Sequence, residues 1–122
     1  MIFLDSNIII DYLHGDTAII SSLNEYREEQ RALFISTITI TEVLSLSSAT
    51  PTEIKIIDDF LNSFILIQPD KHIAKTAATL RRNLNVSLPD ALIVASAMVH
   101  NIPLATRAQK LRKIPNLDII LI

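Results

Sequence analysis

The sequence predicts an α/β fold with a parallel sheet covered by helices on both faces. Three observations point there. Apolar runs of three or four residues, beginning at Ile2, Leu33 and Ile65, alternate with longer stretches whose apolar residues recur at helical spacing. The runs are continuously apolar rather than alternating, as in strands buried on both sides. A single glycine in 122 residues leaves few turns with positive φ, so helices joined by short polar links are favoured over hairpins.

Taken in order, residues 2–4 are a first strand that ends at Asp5, and a helix begins near Ser6. Residues 14–17 form a turn with Asp16 or Thr17 as a cap, and a surface helix follows from Ala18 to about Glu29 on the spacing of Ile19, Ile20, Leu23 and Tyr26. A second strand covers residues 33–35. Thr39 and Glu42 then have capping-box spacing, with a helix through Val43, Leu44 and Leu46 to about Ala49. Thr50 followed by Pro51 starts another helix, whose expected buried stripe is Ile54, Ile57, Phe60, Leu61 and Phe64. Residues 65–67 are a third strand. Asp70 caps a helix whose expected inner face is Ile73, Ala74, Ala77, Leu80 and Leu84. Ser87, Pro89 and Asp90 open a helix that is apolar nearly all round and therefore buried on several sides. Residues 103–105 are a fourth strand, 108–113 hold a one-turn helix, and 118–121 are the last strand. No repeat or internal boundary interrupts residues 1–122, which read as a single domain.

Composition narrows the function. The chain has no cysteine, hence neither a disulfide framework nor a thiolate metal site. With no charged-then-apolar leader and no apolar run of about 18 residues, it is expected to be cytoplasmic with no membrane contact. A net charge of −2 argues against broad nucleic-acid binding by charge alone, although Arg81, Arg82 and the stretch from Arg107 to Lys113 concentrate six of the eleven basic residues. Those six read equally as a local basic patch or as solvated helix faces.

Three acids stand out by position. Asp5 follows the first strand, Glu42 is expected in the first turn after the second, and Asp90 lies in the first turn of the most buried helix. Each has a capping explanation, because acids at helix starts satisfy backbone donors. Jointly they mean more. In a parallel sheet, helix starts lie near the carboxyl ends of strands, where ligands bind. Three carboxylates gathered there call for a cation, and hard oxygen donors suit Mg²⁺ or Mn²⁺ rather than Zn²⁺. His14, His72 and His100 fall in a turn, a helix start and a helix end, and read as structural or solvent-facing. Asp11 reads as an edge residue and Asp58-Asp59 as solvated charge.

At these residues the chain resembles a known family. Leu4-Asp5-Ser6-Asn7-Ile8, the stretch Thr39-Ile40-Thr41-Glu42-Val43-Leu44, and Leu88-Pro89-Asp90-Ala91-Leu92-Ile93-Val94-Ala95 look like the three motifs of PIN domains, and Leu104-Ala105-Thr106-Arg107 resembles the fourth. Length and motif order match the small PIN-domain toxins of the VapC type. The resemblance implies a three-layer fold with a parallel sheet of four or five strands. It implies a divalent-metal endoribonuclease with Asp5, Glu42 and Asp90 as metal ligands, Thr106 as a polar group near the metal or phosphate, and Asn7 in support. It also implies an RNA substrate, a homodimer, and an antitoxin that presents an arginine to the acids, with the second and fourth helices as a groove for it. The family usually has a further acid shortly after the Thr-Arg pair. Here Ala108 and Lys110 occupy the two places for it, which leaves one metal ion or two open. Lys110 either points inward, repelling a second cation and attracting phosphate, or extends to water.

Two other readings stand beside this one. A non-catalytic PIN-fold module could keep the acidic pocket to receive a partner's arginine. A phosphoacceptor receiver domain would need an aspartate after the third strand, where the chain has Gln68-Pro69 instead.

Overall fold

The computed structural model of the chain describes residues 1–46 and 49–122. Its elements are β1 (Ile2–Leu4), α1 (Ser6–Leu13), α2 (Thr17–Glu28), β2 (Leu33–Ser36), α3 (Thr37–Leu44), α4 (Pro51–Leu61), β3 (Ile65–Ile67), α5 (Lys71–Asn83), α6 (Leu88–His100), β4 (Leu104–Thr106), a 3-10 helix (Gln109–Lys113) and β5 (Ile119–Leu121). All five strands are parallel, in the order β3-β2-β1-β4-β5. The expected α/β sandwich with a parallel sheet is the fold observed, with five strands.

The side chains of β1 divide the interior. Ile2 and Leu4 face one way and pack with Ile8, Ile9, Ile19, Leu23 and Val43 of α1, α2 and α3. Phe3 faces the other way and packs with Ile73, Ala77, Ile93 and Val94 of α5 and α6. This is the two-residue alternation of a strand with both faces buried. α6 has Ala91, Ile93, Val94, Ala95, Ser96 and Ala97 buried, as its all-round apolar sequence required.

Most helix starts follow from local chemistry. Asp16 accepts from the N–H groups of Ala18 and Ile19, Asp70 from that of Ile73, and Ser87 from that of Asp90. Thr50 and Glu53 form a reciprocal capping box with Pro51 at the first helical position. Gly15, at φ +83, makes the turn between α1 and α2. Asn101, at φ 53, ends α6 in the left-handed conformation that asparagine tolerates better than most residues.

Four expectations need correction. The helix after β2 starts at Thr37, capped by Ser36 Oγ accepting from the N–H of Ile38, so the Thr39–Glu42 pair is not a capping box and Glu42 lies in the second turn. That helix ends at Leu44 rather than near Ala49, with Leu46 beyond it; Ser47 and Ser48 lie outside the described residues. In α4, burial rises from Ile54, 39% exposed, to Leu61, fully buried, so the first turn overhangs the core. Phe64 is buried but lies past the end of the helix, edge-on to Phe60, which itself stacks on Tyr12 of α1. In α5, Ala74 is exposed, because it lies about a quarter turn from the buried stripe of Ile73, Ala77 and Leu80.

The core ranking is testable by urea unfolding. Ile93 is 1% exposed, and Ile93→Ala should cost about 2–5 kcal/mol. Ile56 is 63% exposed, and Ile56→Ala should change stability by no more than about 0.5 kcal/mol. Equal midpoints for the two variants would contradict this packing.

Candidate active site

The sheet order creates the site. From the central β1 the chain moves outward to β2 and β3, then returns to β4 on the other side, so the topological switch point lies between β1 and β4. A crevice for ligands opens at such a point, beyond the carboxyl ends of the strands. Asp5 leaves the end of β1 and Thr106 is the last residue of β4.

Asp5 is 4% exposed, and both of its carboxylate oxygens are engaged. Oδ1 accepts from the backbone N–H of Ser6 at 2.8 Å, and Oδ2 accepts from the hydroxyl of Thr106 at 2.7 Å. The Thr106 hydroxyl also accepts from the N–H of Ala108 at 3.0 Å, so its one proton is committed to Asp5. Cap and site residue are therefore the same group, since Asp5 is also the N-cap of α1.

Glu42 joins through Ser6. The Ser6 hydroxyl donates to Glu42 Oε1 at 2.7 Å and lies 2.8 Å from the hydroxyl of Thr39. A hydroxyl has one proton, so with Ser6 donating to Glu42, Thr39 donates to Ser6. Thr39 and Ser6 are buried, and the relay from Thr39 to Ser6 to Glu42 holds the glutamate from the protein side. From the second turn of α3, Glu42 thus reaches the first residue of α1.

Asp90 enters by charge. Burial is the largest influence on the Asp5 carboxyl and pushes its pKa up. The Thr106 hydroxyl opposes this, repulsion from Asp90 adds to it, the Ser6 N–H opposes it, and Glu42 adds further repulsion; the net direction is up. Lys110 Nζ lies 3.5 Å from Asp90 Oδ2, with the lysine side chain 65% exposed. It thus reaches an acid of the site from the solvent side. Among the described residues, no group of three or more His, Asp or Glu side chains is drawn together as a ready cage for a metal ion. By donor chemistry the residues nevertheless fit a hard divalent cation: oxygen donors only, with a buried carboxylate in the field of two others.

Sequence reasoning gave Ser6 no part in the site and read Thr39 as a cap; their only signal was a place beside Asp5 and three residues before Glu42. Asn7, by contrast, is exposed in the first turn of α1, and among the described residues its side chain makes no hydrogen bond to the acids. Arg107, read as part of a basic stretch, pairs with Asp16 at 2.7 Å and Asp11 at 3.2 Å. The hydrogen bond from Arg107, then that from the Ile19 N–H, holds the Asp16 carboxyl below its usual range. This clamp ties the segment after β4 to α1 and α2 beside the crevice.

Comparison with known proteins places the chain. The family model of the PIN domain matches residues 2–117, so the chain belongs to the PIN domain family, whose members are typically nucleases that use divalent metal ions. Its fold is similar to those of several solved structures. One is a toxin–antitoxin complex from Klebsiella pneumoniae, with TM-score 0.84, 27% identity, and coverage of 98% of this chain and 96% of that one. Another is VapBC2 from Rickettsia felis bound to a promoter DNA fragment, with TM-score 0.82, 25% identity, and coverage of 99% and 98%. A third is VapBC-1 from nontypeable Haemophilus influenzae, with TM-score 0.78, 25% identity, and coverage of 98% and 97%. No curated protein sequence matches the chain. No helix among the described residues is long and apolar enough to cross a membrane.

The raised pKa of Asp5 has a definite sign in stability. Below the ordinary aspartate range, near pH 3.9, the group is protonated folded and unfolded alike. As pH rises through the elevated folded value, the folded state holds the proton longer, and the Asp5 contribution to stability is lost. Thermal melts in EDTA should therefore show Asp5→Asn as stable as the parent or more so at pH 7, with the difference vanishing near pH 3. A variant much less stable than the parent at pH 7 would mean that the carboxylate serves the fold more than it burdens it.

Proposed function

We propose that this chain is a cytoplasmic, divalent-metal-dependent endoribonuclease, the toxin of a toxin–antitoxin pair, with Asp5, Glu42 and Asp90 as ligands for Mg²⁺ or Mn²⁺. The observation that carries the reading is the Asp5 carboxylate: buried at the switch point, held through both oxygens, and opposed by two further acids. A buried carboxylate facing like charges is costly for a fold even when hydrogen-bonded, because no cationic partner among the described residues offsets its charge. A cation offsets that cost, so the arrangement favours a site built to receive one.

Each residue has a distinct part. Thr106 and the Ser6 N–H orient Asp5. The hydroxyl relay through Ser6 orients Glu42 and leaves Oε2 for a ligand. When bound, the cation supplies neutralisation of phosphodiester charge and acidification of a water. Lys110, on the solvent side of Asp90, is placed to attract the phosphate of an incoming strand. With an ammonium where relatives carry a further acid, the site is proposed to take one ion. Asn7 is left with at most a contact to substrate from the exposed start of α1.

The partner is proposed by likeness to the toxin–antitoxin complexes above: a homodimer that binds an antitoxin supplying an arginine to the three acids. The second reading, a PIN-fold module without activity, draws on the absent fourth acid and on the lack of a ready metal cage among the described residues.

Two measurements separate these readings. Incubation with structured RNA and Mg²⁺ or Mn²⁺ should give cleavage that EDTA abolishes, and Asp5→Asn or Asp90→Asn should lower the rate at least about a hundredfold, a loss of about 2.7 kcal/mol in transition-state stabilisation. Cleavage by Asp5→Asn at the parental rate would reject the ligand assignment. Light scattering at micromolar concentration should give twice the chain mass, and co-expression with the neighbouring small gene product should yield an inactive complex. A monomer that co-elutes with nothing would remove the toxin–antitoxin reading.

A further inference from the structure

A cleft beside the acids has a composition of its own. It lies between the α5–α6 link and the 3-10 helix and encloses about 310 Å³. Leu84, Val86, Leu111 and Ile114 form its apolar lining, with Leu111 and Ile114 buried. The exposed residues at its rim are Asn85, Lys110 and Lys113. Lys110 belongs to both places, because the same ammonium lies 3.5 Å from Asp90. The cleft and the acidic centre are therefore neighbours that share one side chain. Arg81 Nε donates to the carbonyl of Val86 at 3.4 Å, which brings a guanidinium to the same margin.

Charge is segregated around this cleft. Residues 71–117 hold eight of the eleven Lys and Arg side chains and only one of the thirteen acids, Asp90. Arg107 turns to Asp11 and Asp16, but the other seven leave the α5–α6 side of the sheet basic apart from Asp70 at the start of α5 and Asp90, while α1 to α4 carry most of the acids. A net charge of −2 conceals this division.

We propose that this cleft receives one unpaired nucleobase of the RNA strand next to the scissile phosphate, with Lys110 and Lys113 holding the phosphates on either side. The proposal rests on the nuclease reading and adds a base-recognition site to it. A volume near the lower end of ligand pockets suits one planar ring system rather than a helix or a folded segment. The aliphatic walls offer the faces of a base a dry contact. The amide of Asn85 carries both a donor and an acceptor for a base edge. Ammonium groups at the rim suit the charge of a nucleic-acid strand and not the chemistry of an apolar peptide. Single-stranded RNA is read in this way, by splayed bases held between side chains, with guanidinium planes among the stacking partners.

The test uses the full chain in EDTA, so that no cleavage intervenes. Each of the four nucleoside 5′-monophosphates is titrated at millimolar concentration and followed by the backbone amides of residues 84–86 and 110–114. The expected result is a saturable shift at both segments that differs among the four bases and is much smaller with inorganic phosphate. Asn85→Ala should reorder the four nucleotides. Lys113→Met, which keeps the apolar stem, should lower the slope of log affinity against log salt for a short single-stranded RNA by about 0.7. Equal shifts with inorganic phosphate would overturn the base site in favour of charge alone. Silence at both segments would overturn it too, leaving the cleft to a partner's side chain. Binding here without cleavage under Mg²⁺ would sink the nuclease and spare the base site, whereas cleavage with a silent cleft would do the reverse.

Discussion

The hydrogen bond between Thr106 and Asp5 is the constraint on which the site depends. It joins the ends of two neighbouring parallel strands whose residues are 101 positions apart in the chain. A buried carboxylate without partners would shift toward its neutral form or open the structure to water. With Thr106 on one oxygen and the Ser6 N–H on the other, Asp5 stays oriented at the edge of the sheet. The β1–β4 pairing fixes that geometry, and the pairing in turn needs Phe3 and Leu104 in the core shared with α5 and α6. Packing on one face of the sheet thereby determines how a carboxylate sits at its end.

The two sides of the molecule have different tasks. On the α1–α4 side, polar order is dense near the site: the Thr39–Ser6–Glu42 relay and the Arg107 clamp on Asp11 and Asp16 hold the helix starts in place. On the α5–α6 side the interior is an apolar cluster of buried side chains, and the outside is basic. Asp5, with Glu42 and Asp90 near enough for their charges to act on it, lies between this polar scaffold and the basic side. For the RNA substrate proposed above, the basic side would draw the strand in and a bound cation would offset its repulsion by the acids.

Local chemistry was legible in the sequence and long-range hydroxyl chemistry was not. Asp16, Asp70, Ser87 and the Thr50–Glu53 box announce their helices because cap and capped backbone lie within three or four residues. The apolar runs announce the strands for the same reason. The error at Thr39 and Glu42 shows the limit. Their spacing satisfies a capping box, but Ser36 claims the cap and frees both side chains for Ser6, 33 and 36 residues away. Nothing local distinguishes the two outcomes. Arg107 is similar: its partners lie 96 and 91 residues away, so it could be read only as one charge among several in a basic stretch. The candidate acids were singled out by their expected positions at strand ends and helix starts, which holds for Asp5 and Asp90 but not for Glu42, whereas the hydroxyls beside them follow from tertiary pairing.

The span of the Thr106–Asp5 bond also bears on biosynthesis. Chains emerge from the ribosome N-terminus first, at about 5–20 residues per second. Asp5, Ser6 and Glu42 are made early, but β4 comes only near the end of the chain, and it lies between β1 and the last strand, β5. A nascent chain lacking β4 leaves one edge of β1 unpaired and one oxygen of Asp5 without its hydroxyl. The pairing that orients Asp5 is thus completed only as synthesis finishes; for the ribonuclease proposed above, this means that a partly made chain lacks its oriented carboxylate while it sits beside the RNA of the ribosome that is producing it.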